Sequence, residues 1–250
     1  MPYALTFPLK SDEADGLPPY PGRALHGLFY QWLALGDYAV STEVHSADGP
    51  PPFTTSPLYK VHGQPRIRLT LLKDDLWPVL SQGIEKTPSI ELLNQPLTLP
   101  EAGPRVRHHG YADLVADGRT DRRIRLRFLS PTSFRSSGMH YPLPDPELVY
   151  HSWLKQWNAF APEDLRINVA LLDIVAAHVA VSRYDLRTEM VDLGTNWKIV
   201  GFTGAVQFNV LKARKIGEEW LRRLNLLAEY AGFCGTGHKT AQGLGQTKRI

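Results

Sequence analysis

The stretch RRIRLRF, residues 122–128, alternates without interruption: Ile124, Leu126 and Phe128 fall on one side, Arg123, Arg125 and Arg127 on the other. Successive side chains of an extended chain point to opposite faces, so this pattern is a strand with one apolar and one basic face. Ser130-Pro131 is expected to end it. Downstream, residues 146–160 read as a helix carrying Leu148, Val149, Trp153, Leu154 and Trp157 on one side. Two long β-branched runs follow, 168–182 and 197–211. A last helix over about 217–231 places Trp220, Leu221, Leu224, Leu227, Ala228 and Ala231 at helical spacing. A glycine-rich tail comes after it.

Upstream the same order of elements recurs. Residues 3–9 read as a first strand and 11–20 as a turn-rich connection. Helix one spans about 21–35; proline suits its first position, and Gly36-Asp37 ends it. Residues 53–60 and 66–72 look like strands joined at His62-Gly63. In the second, Ile67, Leu69 and Leu71 alternate with Arg66, Arg68 and Thr70. A short helix over 74–82 is expected, and from Leu97 the chain reads as extended and broken by prolines. Each half is thus a βαββαβ unit, the ferredoxin-like motif, and the fold class is α+β. The expected domains are 1–115 and 122–250, with the boundary within 110–121.

The chain has 250 residues, enough for one large domain or two ordinary ones. Its 43% hydrophobic and 21% charged residues are those of an ordinary globular protein. A single cysteine, Cys234, rules out an internal disulfide framework. No apolar run approaches the roughly 20 residues that span a bilayer, and no signal peptide is evident, so a cytoplasmic location without membrane attachment is expected. The net charge of +3 permits an anionic partner without demanding one. Its distribution says more. Residues 103–128 hold seven arginines against three aspartates.

The tail, CGTGHKTAQGLGQT (residues 234–247), sets Gly235, Gly237, Gly243 and Gly245 around the basic pair His238-Lys239. Glycines permit positive φ and close backbone approach, and successive exposed N–H groups then form an anion-binding nest. A loose terminal turn is the plain alternative. Thr240 stands where a dinucleotide fingerprint needs glycine, and His238 precedes the lysine where a P-loop needs glycine, so both motifs are excluded.

This tail, following an amphipathic helix, resembles the glycine-rich loop of the RAMP-superfamily endoribonuclease that matures CRISPR RNA, the sixth Cas family. The segments PGRALHGLFYQWL (21–33), PFTTSPLYK (52–60), RLRFLSPTSFR (125–135) and WLKQWNAFAP (153–162) are similar to that family in matching places; residues 73–120 match poorly. The resemblance implies two tandem ferredoxin-like, RRM-related domains with RNA on a basic face. It also implies metal-independent cleavage of CRISPR repeat RNA that leaves a 2′,3′-cyclic phosphate and a 5′-OH. Such chemistry needs one group to take the 2′-OH proton, another to protonate the leaving oxygen, and charge to stabilise the phosphorane. No cofactor is expected. No HExxH or CxxC is present, and the adjacent His108 and His109 point to opposite faces of a strand, so no metal site is expected either.

Nine histidines compete for the proton transfers. His45, in the polar turn STEVHSADGPPP, falls where the family's catalytic histidine falls. His26 shares one side of helix one with Arg23 and Tyr30, which is either a solvated face or half of a two-histidine pair. Some family members use a Tyr/His/Lys set, for which Tyr30 and Lys60 are the candidates. RNA contacts are expected from Arg23, Arg66, Arg68, Arg123, Arg125, Arg127, Gly235, Gly237, His238, Lys239, Gly243 and Gly245. The arginine stripe has a solvated outer face as its alternative. Ser56 is either a phosphate contact or a structural strand serine. The partner is repeat RNA, with other Cas effector subunits if the chain is instead a non-catalytic guide-binding RAMP subunit; a monomer or homodimer is expected. A 2H-type cyclic phosphoesterase needs two H-x-T/S motifs, and only His238-Lys239-Thr240 fits.

Overall fold

The structure, a computed structural model, describes residues 1–10, 16–136, 138–194 and 198–250. Half of the expected 11–20 connection and Trp197, at the start of the second β-branched run, lie outside the described residues. The chain divides into two compact units: Met1–His108 with Ala241–Gly243, and His109–Thr240 with Leu244–Ile250.

In the first unit, strand β1 (Tyr3–Pro8) leads into helices α1 (Gly22–Gly36) and α2 (Tyr38–Ser46). Strands β2 (Phe53–Thr55), β3 (Tyr59–Val61) and β4 (Gln64–Leu71), helix α3 (Leu76–Glu85), the hairpin β5 (Ser89–Leu92) and β6 (Gln95–Thr98), and β7 (Arg105–His108) follow. The main sheet runs β2-β4-β1-β7, with β3 also on β4, and every pairing is antiparallel. That is the strand order of a ferredoxin-like βαββαβ unit. Phe7, Phe29, Trp32, Leu33, Phe53, Leu71 and Leu80 form its core, and Ala241 of the tail belongs to the same cluster. Burying side chains of this size stabilises by about 1.5–3 kcal/mol each.

Three local expectations change. The segment after Asp37 is a second helix rather than a polar turn, because the Asp37 carboxylate accepts from the N–H groups of Ala39 (2.8 Å) and Val40 (3.2 Å) and so caps it. The expected strand 53–60 splits into β2 and β3 around Pro57, which has no N–H for a ladder. The proline-broken region from Leu97 is preceded by the β5–β6 hairpin, whose turn residues Leu93 and Asn94 take φ of 52° and 65°. The turn at His62-Gly63 is as expected, with φ of 51° and 79°; both positive values match a type I′ hairpin.

In the second unit, helix α4 (Tyr111–Ala116) precedes β8 (Arg123–Thr132), the hairpin β9 (Phe134–Ser136) and β10 (Met139–Tyr141), and helix α5 (Pro146–Phe160). Helix α6 (Leu171–His178), strands β11 (Val179–Asp192) and β12 (Lys198–Val210), helices α7 (Ala213–Ile216) and α8 (Glu218–Cys234), and β13 (Thr247–Arg249) complete it. The sheet order β11-β12-β8-β13 repeats the ferredoxin-like arrangement. Ile124, Leu126 and Phe128 are buried and the three intervening arginines exposed, as their alternation requires. Residues 171–178 are helical although the run 168–182 reads as β-branched. Leu171 and Val175, four apart, bury one helical face, and Asn168 starts the turn by accepting from the Ala170 N–H at 2.9 Å. Strand β8 continues through Pro131 to Thr132. Tyr111 packs edge-on to Trp157 and near the Tyr230 ring, which draws residues 109–116 into this unit. Among the described residues no helix is long and apolar enough to cross a membrane.

Candidate functional site

The bend between α1 and α2 assembles the first unit's chemistry. Helix α1 ends at Gly36, and the Asp37 cap turns the chain into α2. Ser41 of α2 is buried and donates through its hydroxyl to the Tyr30 carbonyl of α1 at 3.1 Å. This folds α2 back so that His45, in its last turn, meets Tyr30 edge-on with ring centroids 4.9 Å apart. His26, one turn earlier on α1, also meets Tyr30, with ring centroids 5.1 Å apart. Phe53 of β2 packs against both, 5.4 Å from the His26 ring and 5.7 Å from the Tyr30 ring. His26 and Tyr30 are therefore half-buried, not an open helix face, while His45 is exposed. Burial raises the Tyr30 phenol above its ordinary value of 10, so at neutral pH it keeps its proton and acts as a donor. A cluster of imidazole, phenol and imidazole has what a metal-free phosphodiester transfer needs: two side chains of the type suited to proton transfer and a neutral donor in contact with both.

Lys60 is exposed on β3, in register with Pro65. Ser56 is buried; its hydroxyl donates to the Pro57 carbonyl (2.8 Å) and accepts from the Arg68 N–H (2.7 Å), which is the structural alternative for this residue. Arg23 is exposed in the first turn of α1. Arg66 and Arg68 do share a face of β4, and Thr6 of β1 lies across from Arg68 on one side and from Arg105 on the other. Arg105 and Arg107 of β7 thus join them on one sheet face. The alternation of RVRH at 105–108 was the available signal for that pair, hidden by the prolines before it. Burial lowers the Arg68 guanidinium to about 10, with Arg107 adding to the effect and Tyr59 opposing it; the group stays charged at neutral pH.

The tail departs from an open amide nest. Gly235 N–H donates to the Ala231 carbonyl, Gly237 N–H to Ser152 Oγ, His238 N–H to the Ser133 carbonyl and Gly245 N–H to the Pro131 carbonyl. Those groups brace the fold and are not offered to a phosphate. The glycines serve close backbone passage instead: a Cβ at Gly245 would stand 2.0 Å from the Thr236 carbonyl oxygen. Gly243 lies beside Ser56 and Pro57, and the neighbouring Gln242 carbonyl sits so tightly on the start of α1 that a Cβ at Gly22 would be 1.8 Å from it. Thr240 is buried, so the lone H-x-T sequence presents no open threonine. The His238 imidazole is half-buried, and its pKa falls to about 4 through burial first and then Lys239, Arg135 and His140. Lys239 takes a left-handed φ of 63°.

On the second sheet, Arg123, Arg125 and Arg127 face outward with Lys248 beside Arg127. Across β12 lie Arg183 and Arg187 of β11, reached through Gln207 and Thr203. Arg125 Nε donates to Gln207 Oε1 (3.0 Å) and Arg187 Nε to Thr203 Oγ1 (3.1 Å), so both guanidinium groups are held against the sheet. Side chains on one strand face repeat every ~6.7 Å, a spacing suited to successive phosphates of one nucleic-acid strand.

The family model described as CRISPR-associated endoribonuclease Cas6 matches residues 126–247. A curated relative of that name from Streptococcus thermophilus is 26% identical over 121 residues, 48% of this chain and 48% of its own. One from Mycobacterium tuberculosis is 27% identical over 124 residues, 50% of this chain and 38% of its own, so the chain matches about half or less of these relatives' length. Among solved structures, a Thermus thermophilus Cas6 in a product complex superposes with a TM-score of 0.85 at 27% identity, and a second Cas6 product complex with 0.82 at 29%; each covers 100% of both chains. Sequence match over residues 126–247 and full-length structural match agree, and the chain is similar to Cas6 endoribonucleases along its whole length.

Proposed function

We propose that the protein is a metal-independent endoribonuclease that cuts CRISPR repeat RNA, with His45, Tyr30 and His26 as its reacting groups. The observation that carries the reading is the cluster of three rings at the α1–α2 bend. RNA supplies its own nucleophile. One imidazole takes the proton of the 2′-OH as the oxygen attacks phosphorus, and the other gives a proton to the departing 5′ oxygen. The Tyr30 hydroxyl donates to a non-bridging oxygen as negative charge builds there. The products are a 2′,3′-cyclic phosphate and a 5′-OH. Exposure suits His45 to the side from which RNA approaches, and His26 is held deeper against Phe53. The arginine faces of the two sheets, with Lys239, take the RNA backbone. A cytoplasmic location belongs to the same proposal, since the substrate is a transcript.

The test is cleavage of the protein's own repeat RNA in EDTA. Wild type should cut at one position. His45→Ala should slow cutting by about 10²–10⁴-fold, the ordinary worth of a positioned acid or base, and keep RNA affinity within about twofold. Tight binding without any cutting by the wild type would instead assign a guide-holding subunit.

A further inference from the structure

The outer face of the second sheet is not uniformly basic. Asp185 of β11 sits across Ala205 from Arg127, with Arg183 and Arg187 two residues away on its own strand. Among the described residues its carboxylate has no ion pair and accepts no hydrogen bond. A carboxylate in the middle of a phosphate-binding face weakens phosphate binding, so its position calls for a ligand group that offers N–H donors.

The backbone makes room for such a group. Phe202 pairs with Thr132 and Gly204 with Phe128, so Thr203 of β12 faces three residues of β8, Leu129 to Pro131, and exposed Leu129 stands on the bulged side. At the bulge Gly204 has φ of 124°, and a Cβ there would lie 2.1 Å from the Asp185 carbonyl oxygen. A pocket of about 440 Å³ opens over this position, lined among others by Arg127, Leu129, Asp185, Arg187, Thr203 and Gly204. Its middle strand carries only small residues, Thr203, Gly204 and Ala205, while longer side chains rise from the strands on either side. Strands are ~4.8 Å apart, so the walls stand ~10 Å apart at the backbone.

We propose that this trough holds one unstacked guanine of the bound RNA and that Asp185 reads its Watson–Crick edge. The inference rests on the RNA-cleavage reading above and adds a base-specific contact to it. Guanine presents two adjacent donors, N1–H and the N2 amine, which match the two oxygens of a carboxylate. Cytosine and adenine each offer one amine beside a ring acceptor, and uracil sets its single N–H between two carbonyls, so a carboxylate disfavours all three. Arg127 and Arg187 provide planar cations against which a base stacks, the role aromatic residues play in RRM domains. Arg187 is already fixed by Thr203 and loses little freedom on binding.

The experiment uses full-length protein and its own repeat RNA, with a 2′-deoxy sugar at the mapped cut to prevent cleavage. Each guanine is replaced in turn by inosine, which lacks only the N2 amine, and affinity is measured for wild type and Asp185→Asn. At one guanine, inosine should weaken wild-type binding by about tenfold and Asp185→Asn binding by less than twofold. Effects of inosine on RNA folding are common to both proteins and cancel in this comparison. Equal inosine penalties in the two proteins at every guanine would overturn the proposal. Cleavage of unmodified repeat by wild type is measured alongside. If that cleavage is normal and the coupling absent, only the guanine site fails; if cleavage and binding are both absent, the functional reading fails with it.

Discussion

Removing the Asp37 carboxylate is the perturbation that most directly tests how the three rings are held together. Helix α2 has nine residues, too few to persist alone, and of these only Ser41 is buried. Val40 and Val44 add partial packing against the core. The cap supplies two hydrogen bonds, to Ala39 and Val40 N–H. Asp37→Ala should therefore cost the helix about 1 kcal/mol. That divides the ratio of formed to frayed α2 by about five. Because α2 carries only His45 of the cluster, the effect should be confined to chemistry. In single-turnover cleavage at saturating RNA, the rate of Asp37→Ala should fall measurably, by up to about fivefold, the limit set by that ratio. RNA affinity should stay within twofold and Tm within a few degrees. Asp37→Asn retains a capping oxygen and should recover most of the rate. An Asp37→Ala enzyme that cuts at the wild-type rate would refute the reasoning, since His45 would then not depend on the capped helix. An equal loss in Asp37→Asn would point to the charge instead of the cap.

Other outcomes follow from the same geometry. Gly22→Ala pushes a methyl group into the Gln242 carbonyl and should destabilise by about 2–3 kcal/mol, read as a lower midpoint in urea; a neutral outcome would mean that the tail is not seated on α1. The His238 pKa of about 4 lies below its unfolded value near 6.5, so the unfolded chain binds the extra proton between these pH values. Stability is then full above about pH 6.5 and falls as pH drops toward 4. The gap is worth about 3 kcal/mol at full strength, and solvent screening at this half-open site reduces it to about 1–2 kcal/mol. His238→Gln should flatten that part of the pH–stability curve, and an unchanged curve would contradict the assignment. Replacing Arg123 and Arg125 with alanine should reduce the slope of log affinity against log salt by about 1–2, which a filter-binding titration measures.

The sequence carried the fold wherever side-chain period and burial agreed. The alternation in 122–128 and the helical spacing in 146–160 both survive in the structure because each element buries one face against a single core. It failed where a capping or turn residue outweighed the pattern. Asp37 made a helix of a segment that reads as polar turn, and Leu93-Asn94 made a hairpin without a glycine. Of the candidate site, His26 and Tyr30 could be placed together on one helix, but His45 could not be joined to them, since that meeting depends on the Ser41 bond to the Tyr30 carbonyl, which no spacing reveals. The tail misled in the opposite way. Its glycines were visible, but whether their N–H groups pointed outward depended on the Pro131 carbonyl and the Ser152 hydroxyl, far away in the sequence.

The assignment of Ala241–Gly243 to the first unit has a consequence for biosynthesis. Ala241 completes a core whose other members all precede His108. A ribosome adding about 5–20 residues per second needs on the order of ten seconds to make the intervening chain. During that interval the amino-terminal half is exposed without its final piece, its first helix uncovered where Gln242 will later lie. Maturation of this half waits until residues 241–243 have been made, more than 130 residues after its last strand.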